Sequence, residues 1–379
     1  MSDLYMFENT RPYNDTEVPD AVKRIVNNSS FSFIINYLFP NIDLKAFKEK
    51  FLTIKTVAQF QDMVMRDAIW SIVKKTSEGL TYDGFESLKD GRNRMFISNH
   101  RDILLDAALL QILLIQNGLD TSEITFGSNL MQGDLVIDIG KINKMFKIER
   151  GGNIRTFYKN SLEVSRYMRY AITQKKQSVW IAQRNGRTKN GDDKTEIGVL
   201  KMFSLSSDKP FIENLAELNI TPISISYEFE PCAFQKASEL LISKYQKYIK
   251  APNEDLESII HGITQPKGHI NLVICKDISL EDLENSDKFE KNDKLLHLAS
   301  IIDKRIIGNY KLFANNYIAF DILNDTKKYS DFYTSGQKKF FEEYMKDGLK
   351  KIDLPYDELK NIFLAIYANP VANVANLNS

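Results

Sequence analysis

From Gly79 onward, short apolar runs alternate with longer segments whose apolar residues recur every three or four positions. The short runs "RMFISN", "EITFG", "FKIER", "SVWIAQ", "ITPISISYE" and "HINLVIC" predict strands. "GLTYDGFESL" predicts a further short strand, joined to "RMFISN" by turn residues. Between these runs, helices are expected at 103–116, within 133–145, and over "TFYKNSLEVSRYMRYAITQKK" and "KTEIGVLKMFSL". Strands that alternate with helices predict an α/β fold: a mostly parallel sheet with helices on both faces. Residues 20–76 and those beyond about 280 carry the helical spacing alone, as in "DKFEKNDKLLHLASIIDKRIIG" and "GQKKFFEEYMKDGLKKI". They predict helical additions at the two ends of the chain. The expected organisation is therefore a helical region over 1–78, an α/β region over 79–280, and a helical region over 281–379 packed on the core. No repeat or low-complexity linker separates them.

Composition narrows the function classes. In 379 residues, Lys+Arg and Asp+Glu are equal at 50 each, so net charge gives no argument for a nucleic-acid partner. The two cysteines, Cys232 and Cys275, lie in no metal-binding spacing, so no metal and no disulfide framework is expected. The N-terminus is acidic and lacks the apolar stretch of a signal peptide. The most apolar run, Ile103 to Ile115, is interrupted by Asp106 and Gln111 and is shorter than the roughly 20 residues a spanning helix needs. The expected location is cytoplasmic. "FSFIINYLF" is a candidate for lateral membrane contact, although an ordinary core helix explains it as well.

The stretch "SNHRDILLDAALL" contains His-Arg-Asp, as kinase catalytic loops do. The Asn that would hold magnesium five residues after Asp102 is replaced by Ala107. No glycine-rich phosphate loop with a following strand lysine precedes it, and no Asp-Phe-Gly follows. Phosphoryl transfer of that type is excluded. His100 instead sits where a strand ends and an apolar helix begins, the place where open α/β sheets put their sites. Asp106 is the helix's only charge and needs a partner once buried. A carboxylate on one imidazole nitrogen fixes the tautomer and makes the other nitrogen a better base. Asp102 is a rival partner but suits a helix cap, and Arg101 is expected to be local structure. With no protein nucleophile nearby in sequence, a His–Asp base would activate a substrate hydroxyl. Arg150 with Gly151 and Gly152, and Arg184, Gly186, Arg187 and Lys189, follow two further strands. Arginines and glycines so placed suit a phosphate.

Four stretches, in order, resemble the blocks of the glycerophospholipid acyltransferases: "FISNHRDILLD", "MFKIERGG", "WIAQRNGRTKNG" and "ITPISISYE". "LTYDGFESL" is similar to the strand that often precedes the first block. The resemblance covers roughly 79–230 and departs in two places. His100 and Asp106 are separated by five residues rather than four, and the third block carries Asn185 and Gln183 where Glu and Pro are usual. The resemblance implies transfer of a fatty acyl group from acyl carrier protein or coenzyme A to a hydroxyl of 1-acyl-sn-glycerol-3-phosphate, with glycerol-3-phosphate as the alternative acceptor. It implies His100 as general base oriented by Asp106, and Arg150, Arg187, Gly186 and Arg184 at the phosphate. Asn99, Asp102, Asn185 and Pro222 would support the site. No cofactor is expected beyond the acyl thioester. The expected partners are the acyl carrier, the glycerophosphate lipid and, peripherally, the inner face of the membrane. A same-fold enzyme acting on an amino-lipid, or a silent lipid- or carrier-binding homologue, is the competing expectation.

Overall fold

The structure is a computed structural model that describes residues 7–131, 133–149 and 153–377. Seven strands form one sheet: β1 (Ser77–Asp83), β2 (Met95–Ser98), β3 (Glu123–Gly127), β4 (Met145–Ile148), β5 (Val179–Ala182), β6 (Ile220–Tyr227) and β7 (Gly268–Ile274). Their order is β1-β7-β6-β2-β5-β3-β4. The five strands from β6 to β4 are mutually parallel. β7 runs antiparallel to β6, and β1 runs parallel to β7. The mostly parallel α/β architecture expected from the alternating pattern is therefore present, with one reversed edge pair.

Side-chain alternation sorts the central strands onto two cores. Phe96 and Trp180 face one side, where they pack with the Leu105–Gln116 helix and with Ile69, Ile72 and Val73 of the Arg66–Thr76 helix. Met95, Ile97, Val179 and Ile181 face the other, against the Ile154–Thr173 and Lys291–Gly308 helices. This period of two is what a strand buried on both faces requires, and it explains why each run is apolar throughout. The connection leaving β2 crosses the first face to β3, and the one leaving β5 crosses the second face to β6. The carboxyl ends of β2 and β5 thus sit side by side where the two connections diverge, the usual position of a ligand crevice.

The local expectations need three corrections. "FESL" is not strand but the 3-10 turn Phe85–Asp90, because left-handed Gly84 and Gly91 bound it and turn the chain at each end. The helical stretch before Pro40 divides into Val18–Asn27 and Phe31–Leu38, at the Asn-Asn-Ser-Ser run that favours turns. The helical stretch at 287–308 likewise breaks, with Leu280–Asp287 ending before Lys291–Gly308 begins. The N-terminal helices bury their own apolar faces together with Ile142 of the Asp134–Ile142 helix. The helices Ala233–Tyr245, Ala314–Leu323, Ser335–Leu349 and Tyr356–Leu377 share a further cluster around Phe341, Phe363 and Tyr367.

Candidate functional site

β2 delivers His100. Beyond Ser98 the strand ladder is continued by a side chain: Asn99 Oδ1 accepts from Ile225 N and its Nδ2 donates to Ile225 O, each at 2.8 Å. This pins the end of β2 to β6, so the next residue leaves the sheet in one direction. His100 Nδ1 lies 2.9 Å from Asp106 Oδ2, and the carboxylate is completely buried. The same Oδ2 accepts from the backbone N–H groups of Arg101 and Asp102 at 2.6 and 3.0 Å. An oxygen that already accepts two backbone N–H groups is best matched by a hydrogen on Nδ1, which then donates to it. In the neutral imidazole of that tautomer, Nε2 keeps its lone pair. Asp106 also lies in the first turn of its helix, where the dipole favours an anion. The five-residue separation therefore does not prevent the pairing; the added length lets the 101–104 turn wrap the carboxylate.

Asp102 caps that turn, with Oδ1 accepting from Leu104 N and Leu105 N at 2.9 and 2.8 Å. Its Oδ2 is buried without a hydrogen-bond partner, and burial together with the nearby Asp106 pushes its carboxyl pKa up. Gly262 packs directly on it: a Cβ there would come within 2.4 Å of Oδ2. Arg101 needs the larger correction, because its role is not local: its partners come from distant parts of the chain. Its guanidinium is buried between Asp193 at 2.5 Å and Glu230 at 3.1 Å, over the Tyr310 ring. Lys236 completes the cluster, 2.5 Å from Glu230 and donating to the Arg101 carbonyl at 2.8 Å. Burial lowers the Lys236 pKa, whereas the carboxylates of Asp193 and Glu230 outweigh burial at Arg101 and hold it well above its ordinary value.

The loop after β5 is stitched to this strand end. Gln183 N donates to Ser98 O at 2.8 Å and Thr188 N to His100 O at 2.7 Å. Gly186, at φ +81°, turns the chain between Arg184 and Arg187. Arg187 Nη2 donates to Ser258 Oγ at 3.2 Å, while its buried Nη1 has no partner. The carboxylate nearest Arg184 is that of Glu196, at 3.9 Å, which also accepts from Asn185 N at 3.0 Å. A carboxylate from eleven residues further along thus reaches this loop, a relation that linear spacing does not display. The C-terminal helix holds the loop's far end. Gly191 lies so close to the Ile366 carbonyl that any Cβ would collide with it, and Asn369 Nδ2 donates to Asn190 O at 2.7 Å.

Together, His100, Arg184, Asn185, Gly186, Arg187 and Lys189 face one polar cleft of about 260 Å³. On its other side His100 borders a narrower apolar slot of about 40 Å³, lined in part by Leu104, Ala107, Phe126 and Trp180. The Trp180 ring meets the imidazole edge-on at 5.8 Å between centroids, and its Nε1 is held by Ser98 Oγ at 3.0 Å. Trp180 and Tyr227 (whose hydroxyl donates to Asp106 Oδ1 at 2.7 Å) lie beyond the residues that the sequence pattern singles out, whereas Lys189 is one of them. For Tyr227 the signal was the alternation of β6, which puts it on the face of Ile223 and Ile225. Pro222 lies within β6 opposite Ile97 and does not line the cleft. Arg150, with Gly151 and Gly152, lies outside the described residues. Among the described residues, Glu78, Glu228 and His269 form a grouping that could hold a metal ion, and none of the three lines the cleft.

No protein-family model matches the chain, and no curated protein matches it. Among solved structures, the crystal structure of the 1-acyl-sn-glycerophosphate (LPA) acyltransferase PlsC from Thermotoga maritima is similar over 77% of this chain and 95% of that one, at 11% sequence identity and a TM-score of 0.35.

Proposed function

We propose that this chain is an O-acyltransferase that moves a fatty acyl group from a thioester to a hydroxyl of a phosphorylated glycerol lipid. The observation that carries the reading is the His100–Asp106 pair standing between a cationic cleft and an apolar slot. Such a position suits two substrates of opposite character that must meet at one base. A phosphorylated acceptor would lie in the polar cleft with its phosphate toward Arg187 and Arg184, and Gly186 would let the backbone approach. The unpartnered buried Nη1 of Arg187 supports that role, since a guanidinium N–H without an acceptor is costly until an anion satisfies it. The apolar slot suits the first carbons of the acyl chain.

In the reaction, His100 Nε2 takes the proton of the acceptor hydroxyl as its oxygen bonds to the thioester carbonyl carbon. The resulting tetrahedral oxyanion collapses, the carbon–sulfur bond breaks, and the thiolate leaves with the proton returned by the imidazolium. Asp106 stays ionised and holds the imidazole in place through both transfers. Positioning and a base supply the rate, and no covalent enzyme intermediate is required. The preferred acceptor is 1-acyl-sn-glycerol-3-phosphate, and the donor is acyl carrier protein or coenzyme A carrying the chain.

A lipid product implies contact with a membrane surface, peripherally and from the cytoplasmic side. Among the described residues, no helix is long and apolar enough to cross a membrane. Ile154, Phe157 and Tyr158 are exposed beside Arg155 and Lys159, and Phe33 and Tyr37 are exposed while Phe31 and Ile35 of the same helix are buried. Exposed aromatic and aliphatic side chains next to cations suit the interface of an anionic bilayer. The test is product detection by mass spectrometry with both acceptors and both carriers. Acylated product in any of the four pairings supports the reading, and none in all four removes it.

A further inference from the structure

The Asp106 carboxylate has two oxygens with different duties. Oδ2 meets His100 and two backbone N–H groups, all from its own turn. Oδ1 receives one donor, the Tyr227 hydroxyl, which reaches it from β6, 121 residues away, at 2.7 Å. Tyr227 is 1% exposed and Asp106 is fully buried, so bulk water does not substitute for that donor. The Tyr227 ring belongs to the same core as Leu105, Leu109 and the strand residues Ile223 and Ile225, which leaves the phenol little freedom to turn away. Burial, reinforced by Asp106, raises the phenol's pKa well above its ordinary value and keeps it a hydrogen donor across the working pH range.

A buried carboxylate oxygen left without a donor is costly, and Asp106 could lower that cost only by turning away from the imidazole toward another donor; the Tyr227 hydroxyl removes that drive. We propose that Tyr227 is a positioning residue for the His100 base: by holding Asp106 Oδ1 it keeps the carboxylate turned to the imidazole, and with it the Nδ1–H tautomer that leaves Nε2 free toward the cleft. The proposal deepens the acyltransferase reading and uses its base. β6, whose strand neighbour β2 delivers His100, thus supplies a residue that touches no substrate but sets the state of the one that does.

Tyr227→Phe removes the hydroxyl and keeps the ring. For acyl transfer, the expected result is a 10- to 100-fold loss of kcat with KM for the acceptor changed less than threefold. The direct readout is the imidazole itself, followed by ¹⁵N-detected correlation spectra of the full chain with His100 assigned by His100→Gln. In the wild type at neutral imidazole, Nδ1 is expected at the protonated and Nε2 at the unprotonated chemical shift. In Tyr227→Phe the two shifts move toward each other as the tautomers mix. Incorporating p-aminophenylalanine at position 227, which can still donate, restores both the spectrum and kcat, and it serves as the test should the Phe variant not fold. Unchanged His100 shifts in Tyr227→Phe, or a p-aminophenylalanine protein indistinguishable from the Phe variant, would overturn the proposal. The spectra need no turnover. A wild type without acyl-transfer activity therefore removes the functional reading while the tautomer measurement still decides the role of Tyr227.

Discussion

Arg101→Met is the sharpest test of how the site is held. The substitution keeps an unbranched side chain and deletes the guanidinium that lies over Tyr310 and between Asp193 and Glu230. In the intact cluster, Arg101 and Lys236 balance two carboxylates, with side-chain exposures of 5% or less throughout. Without Arg101, Glu230 keeps Lys236 at 2.5 Å, but Asp193 keeps only the Asn99 amide at 3.3 Å. A charge pair whose centres lie about 4 Å apart is worth about 4 kcal/mol at an effective dielectric of about 20, and removing one partner of a buried pair typically costs about 3–5 kcal/mol. The expected loss is therefore about 3–5 kcal/mol, at least about a fifth of the stability of an ordinary domain. Guanidinium denaturation at pH 7 reads it as a lowered midpoint with an unchanged slope. Adding Asp193→Asn should recover part of the loss, because the double variant buries no unpaired charge. A loss below about 1 kcal/mol, or strictly additive single and double variants, would refute the reasoning.

Three further outcomes are expected. Arg187→Ala should raise KM for a phosphorylated acceptor at least tenfold and weaken competition by inorganic phosphate; an unchanged KM places the phosphate elsewhere. Gly262→Ala drives a Cβ to within 2.4 Å of Asp102 Oδ2, so it should destabilise the chain by about 1–3 kcal/mol and lower kcat, both read from one purified variant; a neutral result means the 101–104 turn can give way. Burial raises the Asp303 pKa from 3.8 to about 6, so its protonated form favours folding: that contribution is fully present below pH 3.8 and lost as pH rises through about 6. Asp303→Asn, whose amide oxygen still accepts from Thr195, should remove up to about 2 kcal/mol of the decline between pH 4.5 and 7.5, measured as urea midpoints at those two values; parallel pH profiles for variant and wild type would contradict it.

The parts of the fold that were readable in the sequence are those governed by period. Met95 to Ser98 and Val179 to Ala182 are too apolar for a one-faced strand, and both are buried in the sheet's centre. The reversal of β7 was not readable, because "HINLVIC" carries the same pattern in either direction. His100 and Asp106 could be paired from sequence because a lone carboxylate on a buried helix needs a nearby partner. Arg101 could not be placed the same way. Its partners Asp193 and Glu230 lie 92 and 129 residues away, and a charge beside a turn looks solvated until the strands bring those carboxylates in. Glu196, which meets Asn185 and Arg184, was hidden by the same kind of fold-made proximity.

The central claim is that His100 Nε2 removes a proton from an acceptor hydroxyl. It is tested most directly by the rate of product formation, followed by mass spectrometry, for the wild type and for folded His100→Ala with the best acyl thioester and acceptor pair. The account predicts a fall of about 10²–10⁴-fold, the usual contribution of a general base. A variant that acylates the acceptor at the wild-type rate would contradict it.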